Sequence, residues 1–281
     1  MVEVQERNRT ALRVATLRAA HQLLDEPIVH ADPIALRILG RVAESELRQD
    51  PFQYNDPISR DLRASVIIRS KVAEEELARA VARGVCQYVV LGAGLDTFAY
   101  RNPHGAQLHV FEVDHPSTQH WKIQKLEQAD IPFPANLTMI PVDFENCSLL
   151  QGLQNAGFAE DRSACFSWLG VTMYLSKAAI IDVLEVVAKL PARSSITLDF
   201  RVPSSVLNPI ERAIADVMGQ HVAALGEPWL SAFEPARLRE IAAGAGFTSV
   251  ETFEPDELNC RYLSRRKDGL RCGSRMMCAR V

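Results

Sequence analysis

CQYVVLGAGLDTFAYR (residues 86–101) is the stretch of this chain that decides its fold, together with HVFEVDHP (residues 109–116). Each stretch contains an apolar run rich in β-branched residues, which is typical of a buried strand. The first run opens into a Gly-x-Gly turn at Gly92 and Gly94, and the second ends at Asp114. Glycine lets the backbone approach a ligand closely, and an acid at this spacing accepts hydrogen bonds from ribose hydroxyls. The pattern predicts a nucleotide-type ligand across the carboxyl ends of two neighbouring parallel strands.

Two acids of the second strand compete for the ribose. Glu112 and Asp114 share one face of that strand, because side chains alternate along it. We favour Asp114, since it lies at the end of the strand, where ligands bind. Its structural alternative is to cap the helix that follows.

The details of the glycine turn favour S-adenosyl-L-methionine (SAM) over NAD. A dinucleotide site carries a third glycine three positions after the second, so that the helix N-terminus faces the pyrophosphate. Thr97 occupies that position here, and Asp96 beside it would repel a pyrophosphate. The same carboxylate is compatible with the sulfonium and ammonium groups of SAM. We therefore predict SAM as the cofactor and include Asp96 in its site.

The composition is that of an ordinary globular protein. Of the 281 residues, 47% are hydrophobic and 23% are charged, and the formal net charge is −4. This balance, without a long basic stripe, argues against a nucleic-acid partner. No apolar run reaches the roughly 18 residues that a membrane span needs, and residues 1–21 lack a signal-peptide core. We expect a cytoplasmic protein with no membrane partner.

The six cysteines show neither a C-x-x-C pair nor another metal-ligand spacing. No metal is therefore expected. The pattern favours buried free thiols, as in a reducing compartment.

Strands and helices alternate after residue 85, which predicts an α/β fold with a parallel sheet covered on both faces. The predicted strands are 86–91, 108–113, 137–142, 164–170, 194–200, 248–253 and 275–281. The predicted helices between them are about 116–129, 147–157, 176–190 and 235–245, after a helix over 61–83. No helix is evident between the last two strands, which favours a reversed final strand at the edge of the sheet.

The chain is expected to have two parts. Residues 1–60 are predicted to form a helical N-terminal extension, and residues 61–281 the main domain. Residues 201–233 are long for a connection between elements, which indicates a lid or a substrate-binding insertion.

VVLGAGLDTFAYR, HVFEVDHP, PVDFE and MYL, with the late GEPW and the RRKDGLR…MMCARV ending, resemble a known family. It is the leucine carboxyl methyltransferase-like family of SAM-dependent methyltransferases, which includes polyketide O-methyltransferases of the tetracenomycin type. The resemblance covers nearly the whole chain. It implies a class I methyltransferase (Rossmann-like) sheet of seven strands with the last antiparallel, and it favours oxygen as the methylated atom.

The resemblance also implies which residues hold the cofactor. The first glycine of the family's GAG turn falls on Gly92, and the acid that ends its FEVD strand falls on Asp114. The acidic position after the third strand falls on Asp143, whose carboxylate would accept from the adenine amino group while Phe144 flanks the base. A basic residue in the helix before the first strand falls on Arg69, which would hold the SAM carboxylate.

Two further positions follow from the same resemblance. A second contact from the family's first helix falls on Arg13. Many relatives carry EGLLMYL after the fourth strand, but here the segment is SWLGVTMYL (residues 167–175), with Leu169 at the glutamate position. The ammonium contact expected there must come from a backbone carbonyl or another acid. This departure argues against a protein phosphatase substrate and favours the small-molecule branch.

Candidate residues for catalysis follow from the chemistry of methyl transfer. The transfer is an in-line displacement whose leaving group needs no protonation, so the protein mainly aligns and desolvates. A carboxylate acceptor is already ionised at neutral pH, whereas a phenol benefits from a base. Arg201 is expected to orient a substrate carboxylate, His221 to serve as the base for a phenol, and Tyr174 to line the active site. Trp229 would close over the substrate or anchor the insertion.

The sequence thus predicts a SAM-dependent O-methyltransferase of secondary metabolism. Its substrate is expected to be a carboxylate or phenol of a small or medium-sized molecule, such as a polyketide-type metabolite. The alternatives are an NAD(P)-dependent oxidoreductase and a SAM-binding protein without turnover.

Overall fold

A seven-stranded sheet forms the centre of the computed structural model, which describes residues 8–281. Its strands are β1 (Gln87–Leu91), β2 (His109–Asp114), β3 (Leu137–Pro141), β4 (Ala164–Trp168), β5 (Ser195–Phe200), β6 (Ser249–Phe253) and β7 (Arg275–Arg280). They lie in the order β3-β2-β1-β4-β5-β7-β6. The first five strands pair in parallel, and β7 runs antiparallel to both of its neighbours. The predicted α/β fold with a reversed last strand is confirmed.

Nine α-helices are found in residues 8–281. They are α1 (Arg9–Leu24), α2 (Arg41–Gln49), α3 (Pro57–Ala82), α4 (Pro116–Gln128), α5 (Leu149–Asn155), α6 (Lys177–Ala188), α7 (Pro209–Ala224), α8 (Pro235–Ala245) and α9 (Pro255–Leu263). Residues 1–7, the start of the predicted N-terminal extension, lie outside the described residues. No helix in the described range is long and apolar enough to cross a bilayer.

The order of the strands places the ligand cleft. The chain runs outward from β1 through β2 to β3 on one side, and from β4 to β5 on the other. The strand order therefore reverses between β1 and β4, where Leu91 pairs with Trp168. In open α/β sheets, ligands bind outside the carboxyl ends of the strands at such a point.

Apolar side chains cover the sheet on both faces. Every residue of β1, β4 and β5 is buried, as the continuous apolar runs predict for central parallel strands. On one face Phe166 packs in a core with Leu184 of α6 and Leu238 of α8. On the other face Tyr88 packs in a core with Leu77 of α3.

The sequence pattern favoured an edge position for the reversed strand, and this prediction is wrong. β7 lies between β5 and β6, and β6 is the edge strand. The physical reason is burial: the Met276–Ala279 segment of β7 is wholly buried, whereas every residue of β6 is partly or fully exposed. A continuous apolar run belongs inside a sheet, whereas the mixed polar and apolar residues of SVETF suit an edge strand.

A short helix joins the last two strands, where none was expected. α9 begins with Pro255 at its first position and carries Asp256 and Glu257 in its first turn. These are ordinary start signals, since proline presets the helical φ and acids favour the N-terminal dipole. With nine residues and Leu258 and Leu263 as its buried positions, the helix is too short to show a clear apolar period.

Exposure differs among the cysteines. Cys165, Cys272 and Cys278 are buried, in line with the prediction, but Cys147 and Cys260 are exposed. Cys260 lies on the outer side of α9, and Cys147 precedes α5.

Buried ion pairs attach the N-terminal helices to the rest of the fold. The Arg63 Nε of α3 donates to the Asp25 carboxylate at 2.9 Å, and His21 Nδ1 of α1 lies 2.7 Å from the same group. Both Arg63 and Asp25 are about 1% exposed at their side chains. Burial tends to raise the pKa of Asp25, but the hydrogen bonds from His21 and Arg63 bring it below its usual value. The division of the chain at residue 60 stays a prediction.

Removing the Asp25 carboxylate should strongly destabilise the fold. In Asp25→Ala the Arg63 guanidinium stays buried without its counter-ion, which costs about 3–5 kcal/mol. The free energy of unfolding from urea denaturation measures this. Glu44→Ala is the control, because Glu44 pairs with Arg48 at the surface and should cost about 1 kcal/mol or less. Equal losses in the two variants would contradict a special role for the buried pair.

Candidate functional site

A cavity of about 470 Å³ opens at the carboxyl ends of β1 and β4. The turn after β1, the ends of β2 and β3 and the segment after β4 form its floor and sides, and α1 and the loop after α7 complete its wall. Its size is within the range of small-molecule and cofactor sites. The predicted residues in its lining are Arg69, Gly92, Gly94, Asp96, Asp114, Asp143, Phe144 and Tyr174.

Gly92 is required where the turn meets the segment after β4. Its φ is +66°, and a Cβ atom there would lie 2.2 Å from Cγ2 of Val171. The Gly92 and Ala93 N–H groups both donate to the carbonyl of Val113, at 2.8 and 3.1 Å. The backbone of the turn is therefore pulled over the end of β2, leaving no room for a side chain.

Asp114 joins the turn to the end of β2. One carboxylate oxygen accepts the Gly94 N–H at 2.6 Å, and the other accepts the His115 N–H at 2.7 Å. Burial raises the pKa of Asp114, and the two N–H groups oppose that rise. Each oxygen keeps a second lone pair for a ligand hydroxyl.

Glu112, the competing acid, is placed elsewhere. It is fully buried, and its carboxylate lies 2.6 Å from the Lys122 Nζ of α4. Burial raises the pKa of Glu112, and the Lys122 ammonium opposes this. Asp114 lines the cavity and Glu112 does not, which agrees with the preference for Asp114.

Two further acids of the lining are held by local hydrogen bonds. The Asp143 carboxylate accepts from the Asn146 side-chain amide at 2.8 Å, and the neighbouring Phe144 ring packs on Trp168 with centroids 6.0 Å apart. The Asp96 carboxylate accepts the Phe98 N–H at 2.8 Å, which starts the short turn of helix after the glycine loop.

Arg69 reaches the cavity from α3 and is held by an acid that the sequence analysis missed. Its Nη1 donates to Asp199 of β5 at 3.1 Å. The other oxygen of Asp199 accepts the Gly170 N–H at 2.5 Å. A Cβ at Gly170 would come within 2.6 Å of the Arg69 Nη2, so the glycine gives the guanidinium its space. The one available signal was an acid inside the buried strand SITLDF.

The first helix contributes Arg18 rather than Arg13. Arg13 does not line the cavity, and its Nη1 lies 3.4 Å from Nε2 of the exposed His221. Arg18, one and a half turns later, is buried in the cavity wall and pairs with Asp32 at 3.0 Å. Thr97, the residue in place of a third glycine, donates its hydroxyl to the same Asp32 at 2.5 Å.

Comparison with known proteins decides the family. The model of the leucine carboxyl methyltransferase family matches residues 11–188, more than half of the chain. YktD of Bacillus subtilis, named for an inferred SAM-dependent methyltransferase activity, is 30% identical over 94% of each chain. Rv3399 of Mycobacterium tuberculosis, named for the same inferred activity, is 31% identical over 66% of this chain and 55% of its own.

The chain belongs to the leucine carboxyl methyltransferase family. It is a SAM-dependent methyltransferase, as the family resemblance implied, and SAM is the cofactor that the glycine turn predicted, so the NAD alternative is discarded. Two solved structures share its fold. A DUF574 family protein of Streptomyces avermitilis gives a TM-score of 0.56 at 14% identity over 85% of this chain and 90% of its own. A Thermobifida fusca protein named for an inferred methyltransferase activity gives 0.54 at 18% identity, over 90% and 96%.

The lining of the cavity in this methyltransferase fits SAM. The glycine backbone and the Asp114 carboxylate suit a ribose. Asn8 adds a buried amide whose Nδ2 has no hydrogen-bond partner among the described residues, while its oxygen accepts from Thr118 at 3.1 Å. An orphaned donor in a cavity wall is costly unless a ligand completes it.

The three catalytic candidates lie in different places. Tyr174 lines the cavity at the ends of β1 and β4. Arg201 lines a second cavity of about 390 Å³, where its guanidinium stacks on Trp229 at 3.5 Å from the ring centroid. Pro228 lines both cavities. His221 is exposed and lines neither, so the structure gives no support to its expected role as a base.

Asp114→Asn should weaken cofactor binding, because the amide loses a charged acceptor for the ribose hydroxyls. Hydrogen bonds to a charged group contribute about 1.5–3 kcal/mol, so we expect a rise in Kd of roughly tenfold to a hundredfold. Isothermal titration with S-adenosylhomocysteine measures it. Asp130→Asn is the control, since that side chain is exposed and does not line the cavity. An unchanged Kd in Asp114→Asn would remove the residue from the site.

Proposed function

We propose that this methyltransferase transfers a methyl group to an oxygen of a small or medium-sized organic acid or phenol, with polyketide-type metabolites as the candidate class. The observation that carries this proposal is the apolar lining of the part of the cavity that lies beyond the residues expected to hold the nucleoside. Leu169, Val171, Leu175 and Leu230 supply apolar walls, and Tyr174 supplies a polar group among them. An apolar pocket with few polar groups is typical of small-molecule sites. Placement in secondary metabolism and in the cytoplasm stays a prediction from the sequence.

The chain's own residues align the acceptor and exclude water. SAM supplies the electrophilic methyl group when it is bound. Burial raises the pKa of the Tyr174 phenol, so the hydroxyl stays protonated at neutral pH and can donate a hydrogen bond to an acceptor oxygen. The apolar side chains around it remove solvent from the nucleophile, which strengthens each polar contact inside.

Arg201 supports an anionic acceptor. Trp229 covers one face of its guanidinium. Asp216 lines the same cavity and acts on Arg201 electrostatically, but no ion pair within 4 Å joins the two in the described residues. Burial lowers the pKa of Arg201, which means that the cation would gain from a counter-ion. A guanidinium presents parallel N–H groups that suit a carboxylate. Pro228 lines both cavities, so the cavity that holds Arg201 is adjacent to the one that would hold the cofactor.

A carboxylate acceptor is favoured over a phenol by the position of His221. A phenol has a pKa of about 10 and needs a base at neutral pH, whereas a carboxylate is already ionised. His221 does not line the cavity that would require it.

Arg201→Gln should raise KM for organic acids by about tenfold to a hundredfold, the effect of one lost charge-assisted hydrogen-bond pair. The variant should bind S-adenosylhomocysteine as the wild type does. Formation of S-adenosylhomocysteine and methylated product, followed by mass spectrometry over matched acids, phenols and amines, gives the readout. Arg239→Gln is the control, because Arg239 is exposed on α8 and bonds Thr252.

Methylation of amines alone would contradict the oxygen assignment. Tight cofactor binding with no transfer to any acceptor would favour the alternative of a SAM-binding protein without turnover. Methylation of phenols with no effect of Arg201→Gln would overturn the role of the guanidinium.

A further inference from the structure

The amino-acid end of SAM is a zwitterion, so its site needs both a cation and an anion. Two arginines line this cavity, Arg18 and Arg69, and Arg69 is the one expected to hold the carboxylate. Four acids of the described residues line the same cavity: Asp96, Asp114, Asp143 and Glu227. Asp114 and Asp143 follow β2 and β3, on the side assigned to the ribose and the adenine. Asp96 and Glu227 remain for the ammonium.

Glu227 is fixed in the wall by the way in which α7 ends. Gly226 has a φ of +79° and donates its N–H to Ala223, and the Glu227 N–H donates to Val222 at 3.0 Å. This pair of bonds is the Schellman motif, in which a left-handed glycine ends a helix. The next residues are held to the segment after β4, where the Leu230 N–H donates to Met173 at 2.7 Å. Glu227 is therefore presented to the cavity by a defined turn.

The Glu227 carboxylate reaches α1 and lines the same cavity as Arg69. The hydroxyl of Thr10, in the first turn of α1, donates to it. Both Glu227 and Arg69 influence the Tyr174 phenol: burial chiefly raises its pKa, Glu227 adds to the rise and Arg69 opposes it. The segment after β4 links the two residues, because Gly170 lies against the Arg69 guanidinium and the Met173 carbonyl accepts the Leu230 N–H of the loop that carries Glu227. No acid comes from the β4 side, because Leu169 faces the cavity there.

Asp96 is the weaker candidate. It lies within the glycine turn, and its carboxylate already accepts the Phe98 N–H that starts the following helical turn. This bond holds the Asp96 carboxylate to the glycine turn, on the side of the cavity expected to hold the nucleoside rather than the ammonium.

We propose that Glu227 accepts the α-ammonium group of SAM while Arg69 holds the α-carboxylate. Glu227 belongs to the loop after α7, within the predicted insertion, and also contacts Thr10 of α1. The amino-acid group of the cofactor would therefore contact this loop through its ammonium and Arg69 of α3 through its carboxylate. The proposal rests on the cofactor of this family and is independent of the acceptor that is methylated.

Two ligands distinguish binding of the amino-acid end of the cofactor from binding of its nucleoside end. S-adenosylhomocysteine carries the amino-acid group, and 5′-methylthioadenosine keeps the nucleoside and the sulfur but lacks that group. Isothermal titration of the full chain with both ligands is the experiment, on the wild type, Glu227→Gln, Asp96→Asn and Glu240→Gln. Glu240→Gln is the matched control, because this exposed acid of α8 pairs with Arg237.

In Glu227→Gln we expect the Kd of S-adenosylhomocysteine to rise about tenfold to a hundredfold, the range for losing a hydrogen bond to a charged group. The Kd of 5′-methylthioadenosine should stay within about twofold of the wild-type value. The amide can still accept from Thr10, so the turn should keep its place, and an unchanged melting temperature checks this.

Three results would overturn the proposal. They are an unchanged Kd for both ligands, an equal loss for both, and a selective loss of S-adenosylhomocysteine in Asp96→Asn but not in Glu227→Gln. Because no acceptor is present, none of them bears on the proposed substrate class. A wild type that binds neither ligand would instead contradict the cofactor site itself.

Discussion

The hydrogen bond from the Gly94 N–H to the Asp114 carboxylate is the constraint on which the rest of this site depends. It ties the turn after β1 to the end of β2, at the side of the sheet where the strand order reverses. Gly92 allows this arrangement, because any side chain there would collide with Val171. The cavity forms where the ends of β1 and β2 meet the segment after β4, and the close contact at Gly92 is possible because that residue has no side chain.

Charged pairs organise the remaining walls around that turn. Arg18 of α1 pairs with Asp32, which also accepts the Thr97 hydroxyl, so the N-terminal helix is attached to the glycine loop itself. On the opposite side Asp199 holds Arg69 beside Gly170. The N-terminal helix thus forms part of the wall of the cavity at the ends of β1 and β4.

The residues predicted to hold the nucleoside line one cavity, and the sequence could bring them together because their signals are local. A glycine turn after an apolar strand and an acid after the next one, such as Asp114, are defined by spacing along the chain. Asp199, Arg18 and Glu227 could not be found this way, since each contacts a segment distant in sequence: Asp199 contacts Arg69, Arg18 donates to the Leu95 carbonyl, and Glu227 accepts from Thr10. Arg18 is also indistinguishable from a surface arginine until the packing of α1 on the sheet is known.

The same distinction holds for the fold. Continuous apolar runs predicted the central strands closely, and Gly246, with φ of +120°, ends α8 where the sequence placed that end. The edge position of β6 was missed because pairing between β5 and β7 joins segments about 80 residues apart. The burial of β7 decides its pairing with β5. The reversed direction alone does not, because an antiparallel strand can form its hydrogen bonds either inside a sheet or at its edge.

Titration of the wild-type protein with S-adenosylhomocysteine and, separately, with NADH tests the central claim most directly. The account predicts micromolar binding of one S-adenosylhomocysteine per chain and no binding of NADH. Binding of NADH without S-adenosylhomocysteine would contradict the reading of the glycine turn and every residue role derived from it.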